Sequence, residues 1–492
     1  MLVLATTQSS NERETKTASD TLASLFTIYL SWTYATVDQR LGVIDQLLRS
    51  DEVKRRSLGL IALENFLRTM HFTSLHSFEF GARSRDYGYW PSTKDEATKW
   101  YGSALALIKR LAFTDGILVP ELSGLVARKF RGLWTSAHMF DDLDSLARQF
   151  AAGGFWREGW VACRKTIRFD KDRLVPDSLS RLSALEIELK PTNLSERVRA
   201  VVLGDSSGDL ELEDSNFEGD IASRYERLEA IATELGEAVA ADEVAFADLL
   251  PDLLHGGSRA WSFGRGLAGK SADSRATWSK LVENLERLPL ERRNVQVLSG
   301  YLSKLWESDR DLVQELLDTA LELPALLPFT PALHSAVKID ARGIERLKKA
   351  LHSRQVSVLM YQNLAYGRAT DHLTGDDLGD LLLLIAEQTN GFDVALEILY
   401  MRLFSDGSVQ KQNDSELLKT GRELLRQIRF KRDSEHVAYK LATVVRPCLA
   451  GPEGASLAAE LATRLKQAIA AHETYSFDND DLFKSLLMVH PP

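Results

Sequence analysis

Apolar residues recur along this chain at three- and four-residue steps, the spacing that gathers one face of an α-helix. Leu22, Leu25, Phe26, Tyr29 and Leu30 show it near the start. Leu312, Val313, Leu316, Leu317 and Leu321 show it later, as do Leu396, Leu399, Tyr400, Leu403 and Phe404. Helix starts are marked as well. Thr36 stands three residues before Gln39, and Ser92 three before Asp95, the spacing of a capping box or a near variant. Two-residue alternation is scarce. The best strand candidates are Ala200–Leu203 and Asp209–Glu213, too little to build a sheet for a chain of 492 residues. The pattern predicts an all-α protein.

In the second half the helical runs come in pairs. Pair starts fall near Ser271, Asp309, Ile339, Asp376, Ser415 and Glu453. Their separation, about 30–40 residues, is the period of two-helix repeats such as HEAT or TPR, although no TPR signature residue recurs at a fixed offset. The expected architecture is an α-solenoid of paired helices with one long irregular loop. Each pair would bury its apolar face against its neighbours and leave an extended concave surface. Pro191, Pro251, Gly256-Gly257 and Gly451-Pro452 punctuate the runs. Gly204-Asp205-Ser206-Ser207-Gly208-Asp209 leads into Glu211, Glu213, Asp214, Glu218 and Asp220, and reads as an acidic linker. It lacks the ordered ligands of an EF-hand. Three segments follow: 1–203, helical, with an aromatic-basic loop at 71–91; 204–220, the linker; and 221–492, the repeat array.

Charge changes the picture in one respect. The 60 Lys+Arg and 70 Asp+Glu give a net of −10, which disfavours a general nucleic-acid binder. The excess is uneven. Residues 1–200 carry 28 basic and 24 acidic side chains, and the rest 32 and 46, so a local basic surface in the first 200 residues is allowed. Cys163 and Cys448 are far apart and offer neither a disulfide framework nor metal-ligand spacing, which suits a reducing compartment. Met1–Ala5 is too short for a signal sequence. Leu381–Ala386 falls short of the ~18 apolar residues of a membrane helix. A cytoplasmic protein without membrane attachment is expected.

Two motifs invite a catalytic reading. Gly264-Arg265-Gly266-Leu267-Ala268-Gly269-Lys270-Ser271 satisfies the P-loop pattern and also G-x-G-x-x-G. In a P-loop, backbone N–H groups wrap the phosphates, so Gly264 and Gly269 would shape the turn. Lys270 would then reach the outer phosphates and Ser271 would hold Mg²⁺. The context is wrong, because Ser258–Phe263 form no apolar strand and no partner strand supplies the second Asp. A helix ending near Ala268, a glycine turn and a new helix capped near Ser271 is the favoured reading. Gly204-Asp205-Ser206-Ser207-Gly208 matches the nucleophile elbow, but an acidic, turn-rich run follows where a helix should begin. Asp141, Asp142 and Asp144 read as a helix N-terminal charge cluster rather than a metal site. No cofactor and no metal is called for.

The more unusual segment is the loop. His71, His76 and Glu79 could ligate a metal, but their spacing matches no known motif. Arg83 and Arg85, with Asp86, Tyr87, Tyr89 and Trp90, could bind an anion or stack on a base, since guanidinium forks fit phosphate and rings offer π-faces. The favoured reading is a loop that packs its aromatics on the helices and serves a partner-binding surface. Arg128 and Arg131, in Arg128-Lys129-Phe130-Arg131-Gly132-Leu133-Trp134, could extend it. Six of nine tryptophans precede residue 161, and Trp156 with Trp160 is expected in the core.

Phe78–Gly88, Phe130–Trp134 and Phe263–Ala268 together resemble the C-terminal helical region of large bacterial STAND-like ATP-binding proteins. The likeness would cover most of the chain. It implies a sensing or scaffolding role in signalling or antiviral defence, and a helical segment at Phe263–Ala268. The chain departs from that layout in having no recognisable ATPase domain. The expected function is therefore a non-catalytic scaffold or sensor with a protein partner. The rivals are a nucleotide-dependent enzyme using Lys270 and Ser271, and an anion or nucleic-acid binder using the basic half.

Overall fold

Helices begin where the chain supplies an acceptor for the unpaired N–H groups of the first turn. In the computed structural model, which describes residues 18–72, 87–204, 221–408, 414–430 and 435–490, Thr36 caps Val37–Leu48. Its hydroxyl accepts from Gln39 N at 3.3 Å, and Gln39 Oε1 accepts from Thr36 N at 3.0 Å. Both arms of the box read from the sequence are present. At the next site the reading shifts by one residue. Thr93, not Ser92, caps Lys94–Lys109 by accepting from Glu96 N, while Ser92 N donates to Glu96 Oε2. The described residues are helical or irregular, with no strand among them. Ala200 and Val201, offered above as the start of a strand, close the helix Leu194–Val201. Pro251 lies inside the helix Glu243–Leu253 rather than between helices.

The chain divides into two compact units, Met1–Arg224 and Tyr225–Pro492. The division falls in the first turn of Ile221–Ala240; residues 205–220, most of the expected linker, lie outside the described residues.

In the second unit helices alternate between two rows. First helices of successive pairs are Glu243–Leu253, Ser274–Glu286, Arg310–Glu322, Ala341–His352, Gly375–Ala386, Ser415–Arg426 and Pro452–Ala470. From the second pair onward each begins within three residues of the start read from the sequence. Their caps repeat. Asp242, Asp273, Asp309, Asp340, Thr374 and Asp414 each accept from a first-turn N–H. Each cap contributes about 1 kcal/mol. Two also tie pairs together. Asp340 Oδ2 accepts from Gln314 Nε2 at 2.7 Å, and Asp414 Oδ2 from Gly375 N at 3.0 Å. Burial raises the Asp414 pKa, but backbone N–H donors from Gly375, Glu416 and Leu417 outweigh it and hold the carboxyl below its ordinary value.

The second members are Ala260–Lys270, Gln296–Ser308, Thr330–Ser335, the 3-10 segment Val358–Ala365, Gly391–Ser408, Glu435–Cys448 and Asp480–Val489. Each packs on the next in that order. The core between the rows is aliphatic, with Leu347, Leu381, Leu382, Leu399, Leu424 and Leu465 fully enclosed.

The first unit has the same order, which the sequence did not reveal. Val37–Leu48, Lys94–Lys109, Phe140–Ala152 and Pro176–Leu189 pack in one row. Val53–Phe66, Val119–Thr135 and Arg157–Asp170 pack in another. Its core is more aromatic, holding Phe66, Trp100, Phe130, Trp134, Trp156 and Trp160. No single helix among the described residues is long and apolar enough to cross a membrane. The bent pair Arg310–Glu322 and Leu327–Ser335 has the composition, but its Val313, Leu317 and Leu333 are enclosed in the core of the unit.

Candidate interaction site

The aromatic segment is organised by a residue that was not among the candidates. Arg40 occupies a core position of Val37–Leu48, at helical spacing from Ile44, Leu47 and Leu48, and is buried. Its guanidinium has five N–H donors, and all five are used. Nε donates to the Ala35 carbonyl at 3.0 Å. Nη1 donates to the carbonyls of Leu25 and Thr27, and Nη2 to Ser31 Oγ and the Thr33 carbonyl. One side chain thereby fixes the irregular segment 25–35. Its charge lies 5.1 Å from the Trp100 ring centroid and 5.8 Å from that of Tyr89. Burial lowers its pKa to about 10, and Tyr89 opposes the shift, so it keeps its proton at neutral pH.

The far end of the loop docks on that segment. Trp32 N donates to the Tyr87 carbonyl and Tyr89 N to the Thr33 carbonyl, both at 2.9 Å. Gly88 lies between them with φ of 80°, and a Cβ there would sit 2.4 Å from Thr33 N, so only glycine allows this approach. Tyr89 stacks on Trp100, which stacks on Phe66, at centroid distances of 5.5 and 3.9 Å. Tyr29 meets Phe72 at 5.0 Å and Trp90 at 4.6 Å. Tyr87 and Tyr89 are half-buried, while Trp90 is 59% exposed. The reading of a loop that packs its rings on the helices holds for Tyr89; Tyr87 and Trp90 lie instead against Trp32 and Tyr29 of the irregular segment. Arg83, Arg85, Asp86, His76 and Glu79 lie outside the described residues.

Of the other basic candidates Arg131 is engaged, whereas Arg128 is largely exposed. Arg131 forms a two-pronged pair with the buried Asp170, at 2.6 and 3.1 Å, and lies over Phe169. That hydrogen-bonded pairing raises the Arg131 pKa. Arg128 approaches Glu64 at 3.8 Å, and Lys129 meets the same carboxylate at 3.0 Å. Trp156 and Trp160 are core residues. Asp141 and Asp142 fill the first turn of Phe140–Ala152, Asp141 pairs with Arg181, and Asp144 pairs with Arg148. Among the described residues no three His, Cys, Asp or Glu side chains are grouped to hold a metal.

The P-loop reading is overturned by its own glycines. Gly264 to Lys270 lie within one continuous helix, Ala260–Lys270, with no strand before it. The expected break comes two residues after Ala268, behind Lys270 and without a glycine turn, and the next helix is capped by Asp273 rather than Ser271. A Cβ on Gly264 would meet the Val297 carbonyl oxygen at 2.2 Å, and one on Gly266 the Thr233 carbonyl oxygen at 1.9 Å. The partners reciprocate. A Cβ on Gly236 would meet the Phe263 carbonyl oxygen at 2.2 Å, and one on Gly300 the Trp261 carbonyl oxygen at 1.9 Å. Three helices, Ile221–Ala240, Ala260–Lys270 and Gln296–Ser308, thus touch backbone to backbone through glycines on both faces of the middle one. Gly269 takes no part, with nothing nearer than 3.8 Å to a Cβ there. Lys270 is exposed in the last turn, and Ser271 Oγ shares a hydrogen bond with Thr277 Oγ1 at 2.7 Å. The backbone N–H groups a phosphate would need are spent in the helix.

The elbow motif fares no better where it is described. Gly204 packs on the Arg157 guanidinium, which donates from Nε to the Ala200 carbonyl at 2.7 Å; Asp205–Gly208 lie outside the described residues. Comparison with protein-family models, with curated proteins and with solved structures gave no match. The site therefore rests on the chain's own geometry.

Proposed function

We propose that the protein is a non-catalytic helical-repeat scaffold that binds a protein partner. The observation that carries this reading is the two-row order of capped helix pairs, in which each second helix packs on the next. An array of that kind is the basis of a solenoid, and it offers one long face to a partner. Aromatic side chains left bare on such arrays serve as anchors. A cytoplasmic location and a bacterial signalling or defence setting are the extensions of this reading that the STAND-like resemblance implies.

In-cell photo-crosslinking followed by size-exclusion chromatography tests it. A defined complex with another protein, stable to nuclease and indifferent to ATP, is the expected result. A complex that dissolves on nuclease treatment would instead favour the nucleic-acid reading. ATP binding that disappears in Lys270→Ala would restore the enzyme reading.

A further inference from the structure

Within the second unit, the helix Gly391–Ser408 is enclosed on nearly every side. Its outward face carries Asp393, Tyr400 and Phe404, with the buried Glu397 between them, at the i, i+4, i+7, i+11 spacing of a single helix face. Tyr366 flanks this face on one side, and Tyr439 with Lys440 on the other. Tyr400 touches both Phe404 and Tyr439, with ring centroids 6.2 and 6.0 Å apart. Tyr366, Phe404 and Tyr439 are each more than half exposed, although rings of this size usually find cover. Glu397, in contrast, is only 8% exposed. Its Oε2 accepts from Lys440 Nζ, while among the described residues Oε1 has a single long contact, with the Tyr366 hydroxyl at 3.5 Å. A carboxylate offers about four acceptor positions, so capacity remains on Oε1.

Charge singles out the complementary partner. On the face itself the carboxylates of the exposed Asp393 and of Glu397 stand against one cation, Lys440. Arg402 is buried and spent on Asp406 and on the carbonyls of Thr370 and Leu373. Aromatic faces carry negative quadrupoles that attract cations, and a half-used carboxylate at their centre adds to that attraction.

We propose that this face docks a protein segment presenting an arginine or lysine flanked by apolar side chains. The cation shares Glu397 and lies against the rings of Tyr400 and Tyr439, and the flanking apolar groups cover Phe404 and Tyr366. The proposal rests on the scaffold reading and names the chemistry of its partner.

Fluorescence anisotropy of the full chain with a short labelled Arg/Leu peptide, and with its Glu/Leu counterpart, provides the test. The Arg peptide is expected to bind and the Glu peptide not. Glu397→Gln and the double change Phe404→Ala with Tyr439→Ala should each weaken binding about tenfold or more. Phe477→Ala, at a still barer ring on the 3-10 turn before Asp480–Val489, should leave it unchanged. The double variant removes only exposed rings, so it separates loss of docking from loss of fold, and thermal melts check both variants. No binding by the wild type, equal binding of the Glu peptide, or binding indifferent to the variants overturns the proposal. A crosslinked protein complex that survives these substitutions would sink this inference alone; absence of any such complex would sink the scaffold reading.

Discussion

Two segments of this protein advertise chemistry, and they spend their unusual residues in opposite ways. Between Gly264 and Ser271 the unusual feature is missing side-chain volume, and the structure fills it with the backbones of two neighbouring helices. Between Tyr87 and Trp90 the unusual feature is surplus ring surface. The structure covers most of it with Tyr29, Trp32 and Trp100, and leaves Trp90 largely bare. In the first segment Gly264 and Gly266 are used in packing, while Gly269 and Lys270 lie outside that contact. The second keeps an exposed ring because its fold is set elsewhere, at Arg40. A motif is therefore informative only once the fate of its backbone is known. Glycines that face carbonyl oxygens across a helix contact cannot also cradle a phosphate.

The contrast can be broken most severely at Arg40. Arg40→Ala leaves five acceptors without their donor and is expected to cost on the order of 4 kcal/mol in urea unfolding. Arg40→Lys should recover little of this, because an ammonium cannot reach all five acceptors. If the unfolding midpoint is unchanged in Arg40→Ala, Arg40 does not organise the aromatic segment.

The next effect asks whether buried polar groups behave as packing elements outside these two segments. His334 is enclosed, and its Nδ1 lies 2.8 Å from the Thr330 carbonyl. Burial lowers its pKa to about 4; the Thr330 hydrogen bond opposes the shift and Arg346 adds to it. The unfolded chain, with an ordinary pKa near 6.5, binds the proton more readily. The stabilising contribution is thus complete above about pH 6.5 and is lost as pH falls towards 4, by up to about 3 kcal/mol. Asp318 pairs with both Arg342 and Arg346, and its pKa is held below the ordinary value by those pairs against burial, so it loses stability only further into acid. In His334→Gln the slope of stability between pH 4 and 6.5 should flatten; an unchanged slope would contradict the assignment.

Smaller still is the cost of filling the glycine contact. Gly264→Ala should destabilise by about 2 kcal/mol through overpacking against the Val297 carbonyl. Lys270→Ala, on an exposed last turn, should stay within about 0.5 kcal/mol. Trp90→Ala should likewise cost little, less than about 1 kcal/mol, because the ring is mostly outside the core. A large loss there would show that the ring is a structural member rather than a free surface.

Much of the fold was legible because it is local. Thr36 with Gln39, and the apolar spacing of Leu312 to Leu321, report on single helices whose residues are near in sequence. The pair starts of the second half were readable for the same reason, since a capping Asp or Thr immediately precedes most of the first helices. The pairing of the first half was hidden by the long interval from Phe66 to Lys94, which breaks the period. Arg40 could have been suspected, as an arginine in register with Ile44, Leu47 and Leu48. The glycine contacts could not, because the meaning of Gly264 depends on Val297 and that of Gly266 on Thr233. Tyr400 and Phe404 read as part of the apolar face with Leu396, Leu399 and Leu403, but Phe404 is exposed, and Tyr366 and Tyr439 come beside it only in the fold.

The central claim, that Gly264 to Ser271 is a packing element and not a phosphate site, is tested most directly by Mg·ATP calorimetry on the wild type, joined to thermal unfolding of Gly266→Ala and Lys270→Ala. No binding heat is expected, with a lowered melting temperature for Gly266→Ala and an unchanged one for Lys270→Ala. Saturable Mg·ATP binding that Lys270→Ala abolishes, with Gly266→Ala as stable as the wild type, would contradict it.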